Sequence, residues 1–86
     1  MDLREDITEE NPDALFADGL DDALIGMARR CGQPTLAVYD YEKAVGIFMA
    51  RDGMTYEDAV EWMEFNVVGM WAGPHTPLWF RGPNPE

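Results

Sequence analysis

The sequence predicts a small single-domain α+β fold, with about three helices and a short two-stranded β pair. Asp40 and Thr55 each stand where a helix cap is needed and are followed by apolar residues at helical spacing. Two short runs rich in β-branched and aromatic residues, Thr35 to Tyr39 and Thr76 to Phe80, read as strands. The 86 residues suit one domain, and 47% of them are hydrophobic, with three Trp, four Phe and three Tyr. That is too apolar for a disordered chain, yet so short a chain needs every apolar helix face for its core.

In chain order, residues 1–14 are expected to be an acidic, loosely attached arm. Nine of the seventeen acids fall within residues 1–22, and Arg4 is the only cation among them. Asn11-Pro12 breaks the segment, because a proline holds the residue before it out of the helical region. Leu15 and Phe16 would anchor the arm to a body spanning 15–81.

Asp21 to Arg30 reads as the first helix of that body. Asp21 and Asp22 suit the positive end of its dipole, Arg29 and Arg30 the negative end. Ala23, Leu24, Met27 and Ala28 share a face, and Gly32 with Pro34 stops the helix. Leu36 to Tyr39 then pairs with Leu78 to Phe80 as the two strands. Asp40 opens a helix from Tyr41 to about Arg51, with Tyr41, Ala44, Val45, Phe48 and Met49 recurring at helical spacing, and Asp52-Gly53 ends it. Thr55, with Asp58 in the capping-box position, opens a third helix expected to run to about Met70. Its stripe is Tyr56, Val60, Met63, Val67 and Met70, widened by Ala59, Trp62, Phe65 and Asn66. Residues 82–86 form a polar tail.

The net charge is −11. Direct phosphate-driven nucleic-acid binding is excluded as a default, since it needs basic side chains to displace counterions. A basic partner surface is favoured instead, a nucleic-acid-binding enzyme among the candidates. Solubility and adaptation to high salt are the competing explanations of the same charge.

The acids concentrate in two places. Glu57, Asp58, Glu61 and Glu64 lie on the third helix, with no cation between Arg51 and Arg81. Positions 57, 61 and 64 stack as a ridge, where like charges repel by roughly 0.2–0.5 kcal/mol per pair. A merely solvated face would intersperse Lys or Arg, so the ridge is a candidate partner-binding surface together with Asp18, Asp21 and Asp22. Core packing accounts for most of the aromatics of the C-terminal half. The third helix is nevertheless apolar over more of its circumference than one core contact needs, so Trp62 and Phe65 join the candidate surface, with Trp62 or Trp71 expected to be partly exposed.

No catalytic residue is expected. Cys31 and His75 are the only candidates for nucleophile and base, and Cys31 is placed at a helix C-terminus, where the dipole opposes thiolate formation. No spacing fits a metal or a phosphate-binding loop, and Glu57 with Glu61 lacks the Glu-x-x-His of bundle metal sites, so no metal and no cofactor are expected. One cysteine excludes an internal disulfide. The opening Met-Asp-Leu-Arg-Glu-Asp lacks a leader pattern, and no apolar run approaches the ~20 residues of a membrane span; the expectation is a cytoplasmic, non-enzymatic protein without a membrane partner.

The stretch from Asp52 to Phe80, with Glu64-Phe65-Asn66-Val67-Val68-Gly69 and Thr76-Pro77 as its most specific parts, resembles a segment of small uncharacterised proteins of bacteria, phages and plasmids. It covers about a third of the chain. The resemblance carries over no activity and no functional residue. It implies a mobile-element setting, in which short acidic proteins such as anti-CRISPR proteins inhibit nucleic-acid enzymes, some by presenting carboxylates where DNA phosphates would lie. Two functions are therefore expected of this sequence: a phage or mobile-element inhibitor acting as a DNA mimic, or a homodimeric adaptor that pairs through the aromatic strip of the third helix.

Overall fold

The structure, a computed structural model, describes residues 2–82. Of the expected polar tail, residues 83–86 lie outside the described residues. The chain folds as α1 (Leu3–Glu10), a single 3₁₀ turn (Asp21–Ala23), β1 (Leu24–Ala28), β2 (Leu36–Asp40), α2 (Tyr41–Asp52), α3 (Tyr56–Trp62), a π-helical segment (Met63–Val68) and β3 (Leu78–Phe80). This is the expected α+β class, with three strands where two were expected.

Residues 3–10, expected as part of a loose arm, form a capped helix packed on the sheet. Asp2 caps it by accepting from the Arg4 N–H at 2.9 Å, and Glu5 and Asp6 suit its first turn. Ile7 is fully buried, and that one side chain docks two helical turns. Asn11 locks the end: its N–H donates to the Ile7 carbonyl at 2.8 Å, and its buried side chain donates to the Thr35 carbonyl at 2.8 Å. Arg4 pairs with Asp21 at 2.7 Å and lies over the Phe16 ring.

The expected helix from Asp21 to Arg30 does not form. After the 3₁₀ turn the chain extends as β1 and pairs antiparallel with β2, Leu24 opposite Tyr39 and Ala28 opposite Leu36, with a bulge between Leu24 and Gly26. The apolar pattern of residues 23–28 fits a helix locally. Pairing prevails because β2 is central, and without β1 its second edge would hold unsatisfied backbone groups. Gly32, at φ 78°, belongs to the β1–β2 loop and terminates no helix.

β2 runs parallel to β3, Val38 opposite Leu78 and Asp40 opposite Phe80. A parallel pair needs a long crossover, which α2, α3 and the π-helical segment supply. Ala37 and Tyr39 point from β2 into the core and are fully buried, Tyr39 stacking on Trp79 with centroids 5.1 Å apart. Leu36 and Val38 alternate to the opposite face and stay partly exposed.

α2 starts at Asp40, which accepts from the Lys43 N–H at 3.1 Å, and ends at Gly53 with φ 68°. Thr55 caps α3 by accepting from the Asp58 N–H at 3.2 Å. The third helix does not continue as an α-helix to Met70: it widens into a π-helix over Met63–Val68. The wider turn keeps Met63 buried and lets both Val67 and Val68 pack against the core, while Met70 leaves it. Gly69 makes this possible, because a Cβ there would lie 2.5 Å from the Glu64 carbonyl oxygen.

Candidate protein-docking surface

Along the π-helical segment and on either side of it, four large apolar side chains face solvent. Trp62 is 44% exposed, Met70 62%, Phe65 75% and Trp71 76%. Large apolar groups gathered in this way mark interaction sites on small proteins. Met54, Asp58, Glu61, Trp62, Phe65 and Asn66 line a hollow of about 370 Å³. Asn66 also borders a second groove of about 470 Å³, whose walls include Leu15, Asp18, Val67, Met70 and Trp79. Carboxylates line both, and among the described residues no cation lines either.

The predicted acids divide into two groups. Glu57, Asp58 and Glu61 are exposed and in no ion pair among the described residues, and Asp18 joins them through the second groove. Glu64 leaves the ridge: it accepts a 2.7 Å hydrogen bond from the hydroxyl of the buried Tyr41. Burial first, and then this carboxylate, push the Tyr41 phenol up to about 12. Arg81 lies 4.3 Å from the centre of the same ring and 3.7 Å from Glu42, whose carboxylate also accepts from Tyr56. Asp21 is held by Arg4, and Asp22 is exposed but lines neither hollow. The surface that results is an aromatic strip rimmed by Asp58, Glu61 and Asp18, with Glu57 exposed one helical turn before Glu61.

A second feature was hidden by the helix expected over 21–30. Arg29 and Arg30 follow β1 and line a groove of about 370 Å³ with Ala28, Pro34, Leu36 and Leu78, on the sheet face away from the core. Gly32 and Pro34, nine to thirteen residues after Asp21–Ala23, were compatible with a hairpin loop as well as with a helix stop, and that was the only local signal. Cys31 is exposed in this loop, so the helix-dipole argument applied to it does not hold.

His75 binds across the fold, to Asn11 at the end of α1. Asn11 Oδ1 accepts from the Asp13 N–H and its Nδ2 donates to Thr35, so the 3.0 Å contact to His75 Nδ1 has the imidazole nitrogen as acceptor. The His75 carbonyl accepts from the Leu15 N–H at 3.2 Å. These contacts tie the 73–76 turn to the end of α1. Among the described residues no helix is long and apolar enough to cross a membrane. No family model matches the chain, and no curated protein or solved structure matches it either.

Proposed function

We propose that this is a non-enzymatic binding protein that docks on a basic protein surface through the strip of Trp62, Phe65, Met70 and Trp71. The observation that supports this most is the three-quarters exposure of Phe65 beside Asp58 and Glu61, which are in no ion pair among the described residues, together with the equal exposure of Trp71. Buried aromatic anchors supply most of an interface's energy, and a charged rim supplies encounter rate and orientation. The fitting partner presents an apolar recess ringed by Lys or Arg. The test is affinity capture from a host lysate with the wild type, W62A/F65A and E57Q/E61Q. A partner held by the wild type, lost with W62A/F65A and weakened with E57Q/E61Q is expected; capture indifferent to W62A/F65A would sink the reading.

A narrower reading is an inhibitor, of phage or mobile-element origin, that covers a nucleic-acid-binding groove. The set of Asp18, Glu57, Asp58 and Glu61, in no ion pair among the described residues, favours it, although Glu64 is bound to Tyr41 and contributes less than the sequence suggested. Here the captured partner would bind DNA, and this protein would displace the DNA with an affinity that falls steeply as salt rises. Simultaneous binding of both would exclude it.

A further inference from the structure

We infer that the strip, taken as the docking surface proposed above, has a partner in a second copy of this chain, which receives it at the Arg29–Arg30 groove. The two surfaces are complementary in shape and in sign. The strip projects Trp62 and Phe65 beside Asp58 and Glu61, with no cation lining its hollow among the described residues. The groove offers Ala28, Pro34, Leu36 and Leu78 beside two arginines, with no acid lining it among the described residues. Its volume of about 370 Å³ admits an aromatic side chain.

The arginines are available. Arg4, Arg51 and Arg81 each engage both a carboxylate and an aromatic ring, whereas Arg29 and Arg30 engage neither among the described residues. The sheet face under them also has the pattern of a covered one. β2 carries apolar side chains on both sides, as strands buried on both faces do, yet Leu36 and Val38 are not among the residues packed against the core. Phe65 seated over Leu36 and Leu78 would cover that face, and Asp58 and Glu61 would meet Arg29 and Arg30.

Strip and groove are different surfaces of one chain, so the contact is heterologous. Each copy has one of each free to continue, and growth passes beyond a dimer. The net charge of −11 opposes close approach of whole molecules, so the contact forms best at about 0.15 M salt, where the Debye length is near 8 Å and distant charges are screened. Self-docking and docking of another basic partner occupy the same strip and exclude each other.

The experiment is sedimentation velocity at about 0.15 M salt, with loading raised from about 10 to 500 μM to cover the weak affinities of small interfaces. The wild type is expected to shift progressively past the dimer. W62A/F65A, with an intact groove, and R29E/R30E, with an intact strip, are each expected to remain monomeric. Mixed one to one, they are expected to form a dimer and nothing larger, because only one complementary contact remains between them. Circular dichroism establishes that each variant is folded, and Phe65→Asp replaces W62A/F65A should Trp62 prove necessary for folding. A wild type monomeric throughout, a mixture that stays monomeric, or a dimer unmoved by R29E/R30E would overturn the inference. The docking reading fails separately: if the wild type is monomeric but W62A/F65A still abolishes capture of a host protein, only the self-association is wrong.

Discussion

Replacing Gly69 with alanine sets two effects of opposite sign against each other. Gly69 has φ −72° and ψ −8°, which alanine adopts without strain, so conformational entropy alone favours the substitution by about 0.4–1 kcal/mol. The added Cβ, however, would lie 2.5 Å from the Glu64 carbonyl oxygen and 3.6 Å from that of Phe65. The first contact is nearly an ångström inside ordinary van der Waals separation, and a backbone oxygen cannot swing aside as a side chain can. Forced overpacking of this kind costs about 1–3 kcal/mol, so the net change is a loss of about 1–2 kcal/mol. With a urea slope near 1 kcal/mol/M for a chain of this size, the midpoint should fall by about 1–2 M. Gly46→Ala is the internal control: Gly46 lies within α2 with nothing within 4 Å of an added Cβ, so that variant should gain about 0.5–1 kcal/mol. Urea unfolding followed by circular dichroism measures both. If Gly69→Ala stabilises as much as Gly46→Ala, the π-helical turn and the strip orientation that depends on it are wrong.

Asn11→Ala removes the acceptor of the Asp13 N–H and the donor to Thr35 and His75, and strands the carbonyl of the buried Thr35; a loss of about 2–4 kcal/mol is expected in the same urea assay. The raised pKa of Tyr41 gives an alkaline signature. Its phenol stays protonated in the folded state up to about 12 but ionises near 10 when unfolded, so its contribution is complete below pH 10 and is lost as pH rises towards 12. Tyr41→Phe should be less stable at neutral pH, through loss of the bond to Glu64, and should lose less further stability between pH 10 and 12 than the wild type, as read from urea midpoints across that range. Phe65→Ala and Trp71→Ala remove exposed side chains and should change stability by no more than about 0.5 kcal/mol, with acrylamide quenching of the wild-type tryptophans showing an accessible fraction that Trp71→Ala diminishes.

The parts of the fold legible in the sequence are those fixed by local chemistry. Asp40 and Thr55 cap the helices they were expected to cap, and the β-branched and aromatic runs at 36–40 and 78–80 are strands. The failures are places where distant contacts decide. Leu24 to Ala28 satisfies a helical pattern, and only the open edge of β2, beyond the reach of that pattern, makes it a strand. α1 has one deeply buried residue, Ile7, too little for periodicity to reveal, and its attachment depends on Asn11 reaching Thr35 and His75. The π-helical turn has no compositional mark beyond the glycine at 69. The same division holds at the candidate surface. That Trp62 or Trp71 would be partly exposed was readable from a helix with more apolar circumference than one core contact uses, and both are exposed. That Tyr41 withdraws Glu64 from the ridge was not readable, because the widened turn and a residue 23 positions away determine it.

The strip is the proposed source of binding energy. The direct measurement is the dissociation constant, by calorimetry, of the captured partner for the wild type and for W62A/F65A, in low and in physiological salt. Loss of a central aromatic anchor costs about 2 kcal/mol or more, so W62A/F65A should bind at least about 30-fold more weakly at both salt concentrations. E57Q/E61Q should bind more weakly chiefly at low salt, where its rim charges act over the longest range. Equal affinity of W62A/F65A and the wild type, with the variant folded, would contradict the account.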